Sequence, residues 1–129
     1  MSLAGIALVG LGGAAGSIAR YLLGGWVTAA AAPQAFPLGT FFVNLAGCLA
    51  VGLLAGLVER HPGWLAPDLR LLLFVGVLGG FTTFSTFALE TMTLVRDGSW
   101  AIALAGFFAN NAGGLALALA GIYMGRIVA

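Results

Sequence analysis

A run of glycines and hydroxyl side chains interrupts a long apolar segment near the middle of this chain. The run is Gly79-Gly80-Phe81-Thr82-Thr83-Phe84-Ser85-Thr86-Phe87, and the apolar segment extends from Leu71 to Leu89. At membrane depth, backbone N–H and C=O groups that leave a helix must find other partners, so a break persists only where protein buries it or where it lines a polar cavity. The run therefore predicts a break in a membrane-spanning helix, with a binding or conduction site at that break.

The composition is typical of a membrane protein. Hydrophobic residues make up 61% of the 129 positions and charged residues only 7%, which is outside the range of soluble domains. Four apolar segments are each long enough to cross about 30 Å of hydrocarbon at about 1.5 Å per residue. They are Leu3 to Leu23, Leu38 to Val58, Leu69 to Val95 and Trp100 to Met124. We predict an all-α membrane protein with four transmembrane helices, a break in the third, and a single domain over residues 1–129.

The arginines are almost evenly divided between the two sides of the membrane. With four spans, Arg60, Arg70 and Arg126 fall on one side, and Arg20 and Arg96 fall on the other. Positive residues near the spans normally fix orientation. This chain is therefore predicted to insert in both directions, which makes an antiparallel homodimer possible.

Small residues at helical spacing predict close helix packing. In lipid, packing rather than hydrophobicity drives helix association, and small residues let backbones approach each other. The pairs four residues apart are Gly12 and Gly16, Gly52 and Gly56, and Gly121 and Gly125. Together they predict a tightly packed bundle and an oligomer.

Two polar residues lie inside the first two spans, and each has a plain and a functional interpretation. Arg20 either extends its side chain to the interface or forms a positively charged vestibule that concentrates anions. Asn44 either makes a hydrogen bond between helices or donates to an ion in a pore.

The third and fourth spans present the same choice. Phe84 and Phe87 share a face if helix resumes after the break, where they are either core residues or part of a pathway. Asn110 and Asn111 project about a hundred degrees apart, so at most one of them faces a narrow pore squarely. Glu90, near the end of span three, is predicted to cap that span from the interface.

The inventory of side chains suits ion binding better than catalysis. The sequence shows no paired carboxylates, no Cys/His cluster and no nucleophile with a base, and its lone cysteine, Cys48, is predicted to be a small buried side chain. The absence of lysine and a net charge of +1 argue against nucleic acid as a partner. Amide N–H groups, hydroxyls and aromatic edges are donors to a small anion, and carbonyls freed at the break suit a cation.

Three stretches resemble the Fluc (CrcB-like) family of microbial fluoride channels. They are the run Gly79 to Phe87, the stretch Gly12-Gly13 through Gly16 to Arg20-Tyr21, and the stretch Gly39-Thr40 through Val43-Asn44 to Gly47. The resemblance covers nearly the whole chain. It implies a dual-topology antiparallel homodimer with two pores, in the cell inner membrane or plasma membrane of a microbe. Fluoride would leave passively, down its electrochemical gradient.

The resemblance also implies roles for individual residues. Phe84 and Phe87 would face fluoride with their ring edges, Asn44 would donate a hydrogen bond, and Ser85 and Thr86 would contribute hydroxyls. The predicted fluoride pathway comprises Asn44, Phe84, Phe87, Ser85, Thr86, Asn110 and Arg20. Main-chain carbonyls of Gly79 and Thr82, from both subunits, would hold a structural Na⁺ at the dimer centre.

Span four departs from the common pattern of the family. Many members carry Tyr followed four residues later by Ser, whereas this chain has Gly106 and Asn110. The polar lining contributed by this span therefore differs from the usual one.

Two other classes of protein share some of these features. A dual-topology small multidrug exporter has the same size, four spans and charge balance, but it needs a carboxylate deep in the membrane, and Glu90 is the one candidate. A membrane scaffold without transport would not need the hydroxyl-rich break.

Overall fold

The structure is a computed structural model that describes residues 2–128. Over these residues the fold is all-α, without strands, and it contains four helical segments long and apolar enough to span a membrane. The first, second and fourth spans are α1 (Leu3–Ala30), α2 (Leu38–Arg60) and α6 (Trp100–Val128). The third span, Pro67–Arg96, is built from several shorter helical pieces. The chain is therefore a multi-pass membrane protein.

The spans are longer than their apolar segments predicted. α1 begins at Leu3 as expected, where the Ser2 hydroxyl accepts a hydrogen bond from the Gly5 amide at 3.0 Å, but it continues seven residues past Leu23 to Ala30. Hydrophobicity marks the part of a helix that lies in hydrocarbon, whereas backbone hydrogen bonding continues into the polar interface.

The third span changes its backbone geometry four times. It starts with the α-helical turn α3 (Pro67–Arg70), followed by a π-helical segment (Leu71–Leu78) and the turn α4 (Gly79–Phe81). Thr82 and Thr83 then have extended backbones, with φ, ψ of −86°, 153° and −149°, 115°. Helix resumes as α5 (Phe84–Arg96). The π-helical segment has no signal in the sequence, because its residues are ordinary helix formers in lipid.

Glycines bring α2 and α6 into backbone contact. A Cβ added at Gly52 would collide with the Ala118 carbonyl oxygen, and one added at Gly121 would lie 2.5 Å from the Leu49 carbonyl oxygen. The two helices are also linked near their carboxyl ends, where the Arg126 Nε donates to Glu59 Oε2 at 2.8 Å. The tightly packed bundle predicted from the glycine spacing is therefore present within one chain.

Glycines of α1 make a similar contact with the first part of the third span. A Cβ at Gly12 would lie 2.6 Å from the Leu72 carbonyl oxygen, and one at Gly16 would collide with the carbonyl oxygen of Val77 and approach the Phe81 amide nitrogen to 2.9 Å. These contacts hold α1 directly beside the segment that leads into the break.

Replacing Gly16 by alanine is expected to destabilise the fold, because the obstructing atoms belong to the backbone and cannot rotate away. Overpacking of this kind costs about 1–3 kcal/mol. Gly10→Ala is the matched control in the same helix, since a Cβ there meets nothing within 4 Å. Thermal unfolding in detergent should show a lower midpoint for Gly16→Ala than for Gly10→Ala, and equal midpoints would contradict the contact.

Candidate ion-conduction site

At the break, the side chain of Asn44 makes the hydrogen bonds that a continuous helix would otherwise provide to Thr83. Its Oδ1 accepts a hydrogen bond from the Thr83 amide at 3.1 Å, and its Nδ2 donates to the Thr83 carbonyl oxygen at 3.4 Å. Asn44 lies on α2 and is only 8% exposed. One carboxamide therefore satisfies both polar backbone groups of an extended residue inside the membrane.

The same carboxamide connects the break to the fourth span. Asn44 Nδ2 also donates to Asn110 Oδ1, at 3.5 Å. Both bonds from Nδ2 are longer than the usual 2.9–3.0 Å of an N–H···O bond, so its two hydrogens are held loosely. Asn111 is exposed and donates instead to the Phe107 carbonyl oxygen of its own helix at 2.7 Å. The structure thus brings Asn110, and not Asn111, to Asn44.

Three hydroxyl groups cluster at the start of α5. The Thr83 hydroxyl lies 3.2 Å from the Ser85 hydroxyl and donates to Thr86 Oγ1 at 3.0 Å. It also accepts from the Thr86 amide at 3.2 Å, which makes Thr83 the N-cap of α5. The predicted fluoride pathway includes Ser85 and Thr86 but not Thr83, although threonine is one of the residues favoured at a helix N-cap.

Phe84 and Phe87 lie together but in different surroundings. Their ring centroids are 5.8 Å apart with an interplanar angle of 58°. Phe87 is 6% exposed and stacks on Phe107 at 6.3 Å, whereas Phe84 is 73% exposed. Phe87 is therefore part of the packed interior of one chain, and Phe84 projects from it.

Arg20 lies beside the break in the third span. Its Nε donates to the Gly80 carbonyl oxygen at 3.2 Å, and Ser17 contacts the same oxygen at 3.5 Å. The predicted pathway includes Arg20, but its bond to the third span has no signal in the sequence, because Arg20 belongs to α1, which packs alongside. Since α1 continues to Ala30, Arg20 is also well inside a helix rather than at its end.

The carbonyls of Gly79 and Thr82 lose the amides that would normally bond to them. In a continuous helix the Thr83 amide would donate to Gly79 and the Thr86 amide to Thr82. Here those amides donate to Asn44 Oδ1 and to Thr83 Oγ1. Both residues line an open groove of about 420 Å³. The two carbonyls are thus suitable ligands for a cation, although the residues described show no group of three or more His, Cys, Asp or Glu that could hold a metal.

Two open cavities meet at the break. One, of about 700 Å³, is lined by Arg20, Thr83 and Thr86 among others. The groove on the other side is lined by Asn44, Thr83 and Asn110, and also by Phe84. Thr83 lines both spaces, so the polar residues around it lie between the two cavities.

Glu90 does not cap the third span from the interface as expected. Its Oε1 accepts a hydrogen bond from the Thr40 hydroxyl of α2 at 2.8 Å, and its Oε2 is buried without a hydrogen-bond partner. The predicted span ends at Val95 and α5 ends at Arg96, so Glu90 lies inside the helix, and its contact with Thr40 of α2 is a tertiary contact that no local pattern reports.

Replacing Asn44 by alanine should destabilise the protein, because it leaves the Thr83 N–H and C=O without partners. An unsatisfied buried polar group costs about 1–3 kcal/mol. Asn111→Ala is the control, since that amide bonds only within its own helix and is exposed. A thermal midpoint for Asn44→Ala as high as that of Asn111→Ala would show that the Asn44 bonds contribute nothing.

Comparison with known proteins identifies the family to which this arrangement belongs. Residues 7–122 match the family described as "CrcB-like protein, Camphor Resistance (CrcB)". A protein named "Fluoride-specific ion channel FluC" from Methylobacillus flagellatus is 50% identical over 112 residues, which cover 87% of each chain. A protein of the same name from Nitratidesulfovibrio vulgaris is 49% identical over 128 residues, covering 95% of this chain and 98% of that one. This chain therefore belongs to the CrcB-like protein family.

Proposed function

We propose that this protein is a fluoride channel that lets fluoride leave a microbial cell passively, through the inner or plasma membrane. The observation that carries the proposal is the Asn44–Thr83 pairing at the point where two open cavities meet. The similar proteins from M. flagellatus and N. vulgaris are named as fluoride-specific ion channels. Similarity over nearly the full length extends that activity to this chain.

The chemistry of the break suits a small, strongly hydrated anion. Taking such an ion into an apolar span costs many kcal/mol unless donors replace its water. The loosely held Asn44 Nδ2 hydrogens, together with the hydroxyls of Ser85 and Thr86, supply donors, and the rim of the Phe87 ring is weakly positive. The guanidinium of Arg20 adds positive charge to the wall of the wider cavity. An anion would therefore exchange its water for these groups as it passes the break.

A second, antiparallel copy of the chain completes the pathway in this proposal. Phe84 is 73% exposed beside an open groove. Within one chain, therefore, the break is open on the side of this groove. The near-even arginine count supports insertion in both orientations.

A C-terminal tag should be accessible from both sides of the membrane in comparable amounts, and access from one side alone would contradict dual topology.

We further propose that the Gly79 and Thr82 carbonyls hold a structural Na⁺ between the two copies. Their helical donors are diverted, and backbone carbonyls can replace the hydration shell of a monovalent cation. The ion would neutralise the partial negative charge of these oxygens at the interface.

The dimer should dissociate after prolonged exchange of Na⁺ for a large organic cation, and an unchanged dimer would argue against the site.

A proton-coupled exporter is the second candidate, and Glu90 is the observation in its favour. A carboxyl oxygen buried without a partner is the kind of group that takes up a proton during transport. Such a carrier, of the small multidrug type, would drive its substrate against a concentration gradient when a pH gradient is imposed, whereas a channel only dissipates the fluoride gradient.

Purified protein in liposomes loaded with fluoride should release the ion rapidly once a counter-ion pathway is opened. Phe87→Leu should slow the release strongly, because the aliphatic side chain has no positive rim, while Phe108→Leu, on an exposed face of α6, should not. A fluoride-selective electrode follows the release. Parent protein that releases no fluoride would contradict the proposed function.

A further inference from the structure

We propose that Phe36, on the connection between α1 and α2, determines which anions pass, and that Gly106 makes room for its ring. The inference rests on the proposed fluoride conduction and adds a selectivity residue outside the four spans. Phe36 is half-buried and lies in the segment 31–37 that joins two helices.

Phe36 stands between the wide cavity and a narrow one. The narrow cavity, of about 10 Å³, is lined by Phe87, Gly106 and Asn110, and by Phe36 itself. The wide cavity of about 700 Å³ is also lined by Phe36. Pro37, Thr40 and Glu90 line both spaces as well. Phe36 is thus one of four residues that line both spaces, and its ring forms part of the boundary between the wide cavity and the space beside Phe87 and Asn110.

Two contacts fix the position of the ring. A Cβ added at Gly106 would lie 3.1 Å from Phe36 Cε2, so the ring rests against the bare backbone of α6. On another side its edge meets Phe41 of α2, with centroids 5.4 Å apart and planes at 78°. Prolines at positions 33 and 37 flank the residue and restrict the backbone of the connection. The ring is thus a fixed part of the wall.

The small size of the narrow cavity is the reason that the Phe36 ring would discriminate between anions. About 10–15 Å³ is the space that a single water molecule requires. A cavity at that limit admits a water-sized anion more readily than a larger halide such as chloride. Because the ring forms one wall, removing it would join the two cavities and end this discrimination.

The test compares fluoride and chloride release from liposomes containing Phe36→Ala with release from the parent. Chloride release should rise by about tenfold, equivalent to a lower barrier of ~1.4 kcal/mol, while fluoride release is retained. Phe42→Ala is the matched control, because Phe42 contacts the same Phe41 ring at 5.5 Å but lines none of the cavities. Its fluoride and chloride rates should equal those of the parent.

A second pair of variants tests the contact from the opposite side. Gly106→Ala should push the ring further into the narrow cavity and reduce fluoride release several-fold. Gly113→Ala is its control on the same helix, since a Cβ there is also 3.1 Å from a side chain, that of Leu45. This pair decides the question if Phe36→Ala does not fold.

Each result either supports the inference or overturns it. Raised chloride release in Phe36→Ala alone, or slowed fluoride release in Gly106→Ala alone, supports it. If the parent conducts fluoride and the variants match their controls, the selectivity role of Phe36 is wrong while the proposed function stands. If the parent conducts no fluoride, the proposed function fails and this inference fails with it.

Discussion

The pairing of the Asn44 carboxamide with the peptide groups of Thr83 is the interaction on which the rest of the structure depends. An extended residue inside a membrane span has two backbone groups that lipid cannot satisfy, and Asn44 bonds to both of them. The pairing fixes the depth of α2 relative to the third span. In the same extended conformation, the Thr83 hydroxyl accepts a hydrogen bond from the Thr86 amide and so caps α5. Because the Thr83 amide bonds to Asn44, the Gly79 carbonyl lacks its helical donor.

The glycines of α1 and α2 make this pairing geometrically possible. Gly16 places α1 against the backbone at Val77, which brings Arg20 within reach of the Gly80 carbonyl. Gly47 lies one turn below Asn44, and a Cβ there would collide with the Thr82 side chain. A larger residue at Gly16 would move α1 away from the break, because it meets backbone atoms, whereas one at Gly47 would displace the Thr82 side chain. Both glycines therefore affect the packing around the candidate pathway.

Much of this arrangement can be predicted from the sequence, and there are physical reasons why the remaining features cannot. Apolar length gives the four spans and the starts of three of them, because hydrocarbon thickness is fixed. The predicted helix ends are wrong because a helix does not stop where hydrocarbon stops, and the position of Glu90 is wrong because its contact with Thr40 joins two different helices. The Arg20–Gly80 bond joins residues 60 positions apart, and no local pattern reports it. Phe36 has no motif at all, since its position depends on the empty space at Gly106, which only the packed structure shows.

Hydrogen–deuterium exchange at the Thr83 amide tests the central claim most directly. This amide is outside helical hydrogen bonding, so its protection depends on Asn44 Oδ1. The account predicts slow exchange of the Thr83 amide in the parent and fast exchange in Asn44→Ala, with residues 45–55 of α2 unchanged in both. Equal exchange of the Thr83 amide in the two proteins would show that the break is held by something other than Asn44.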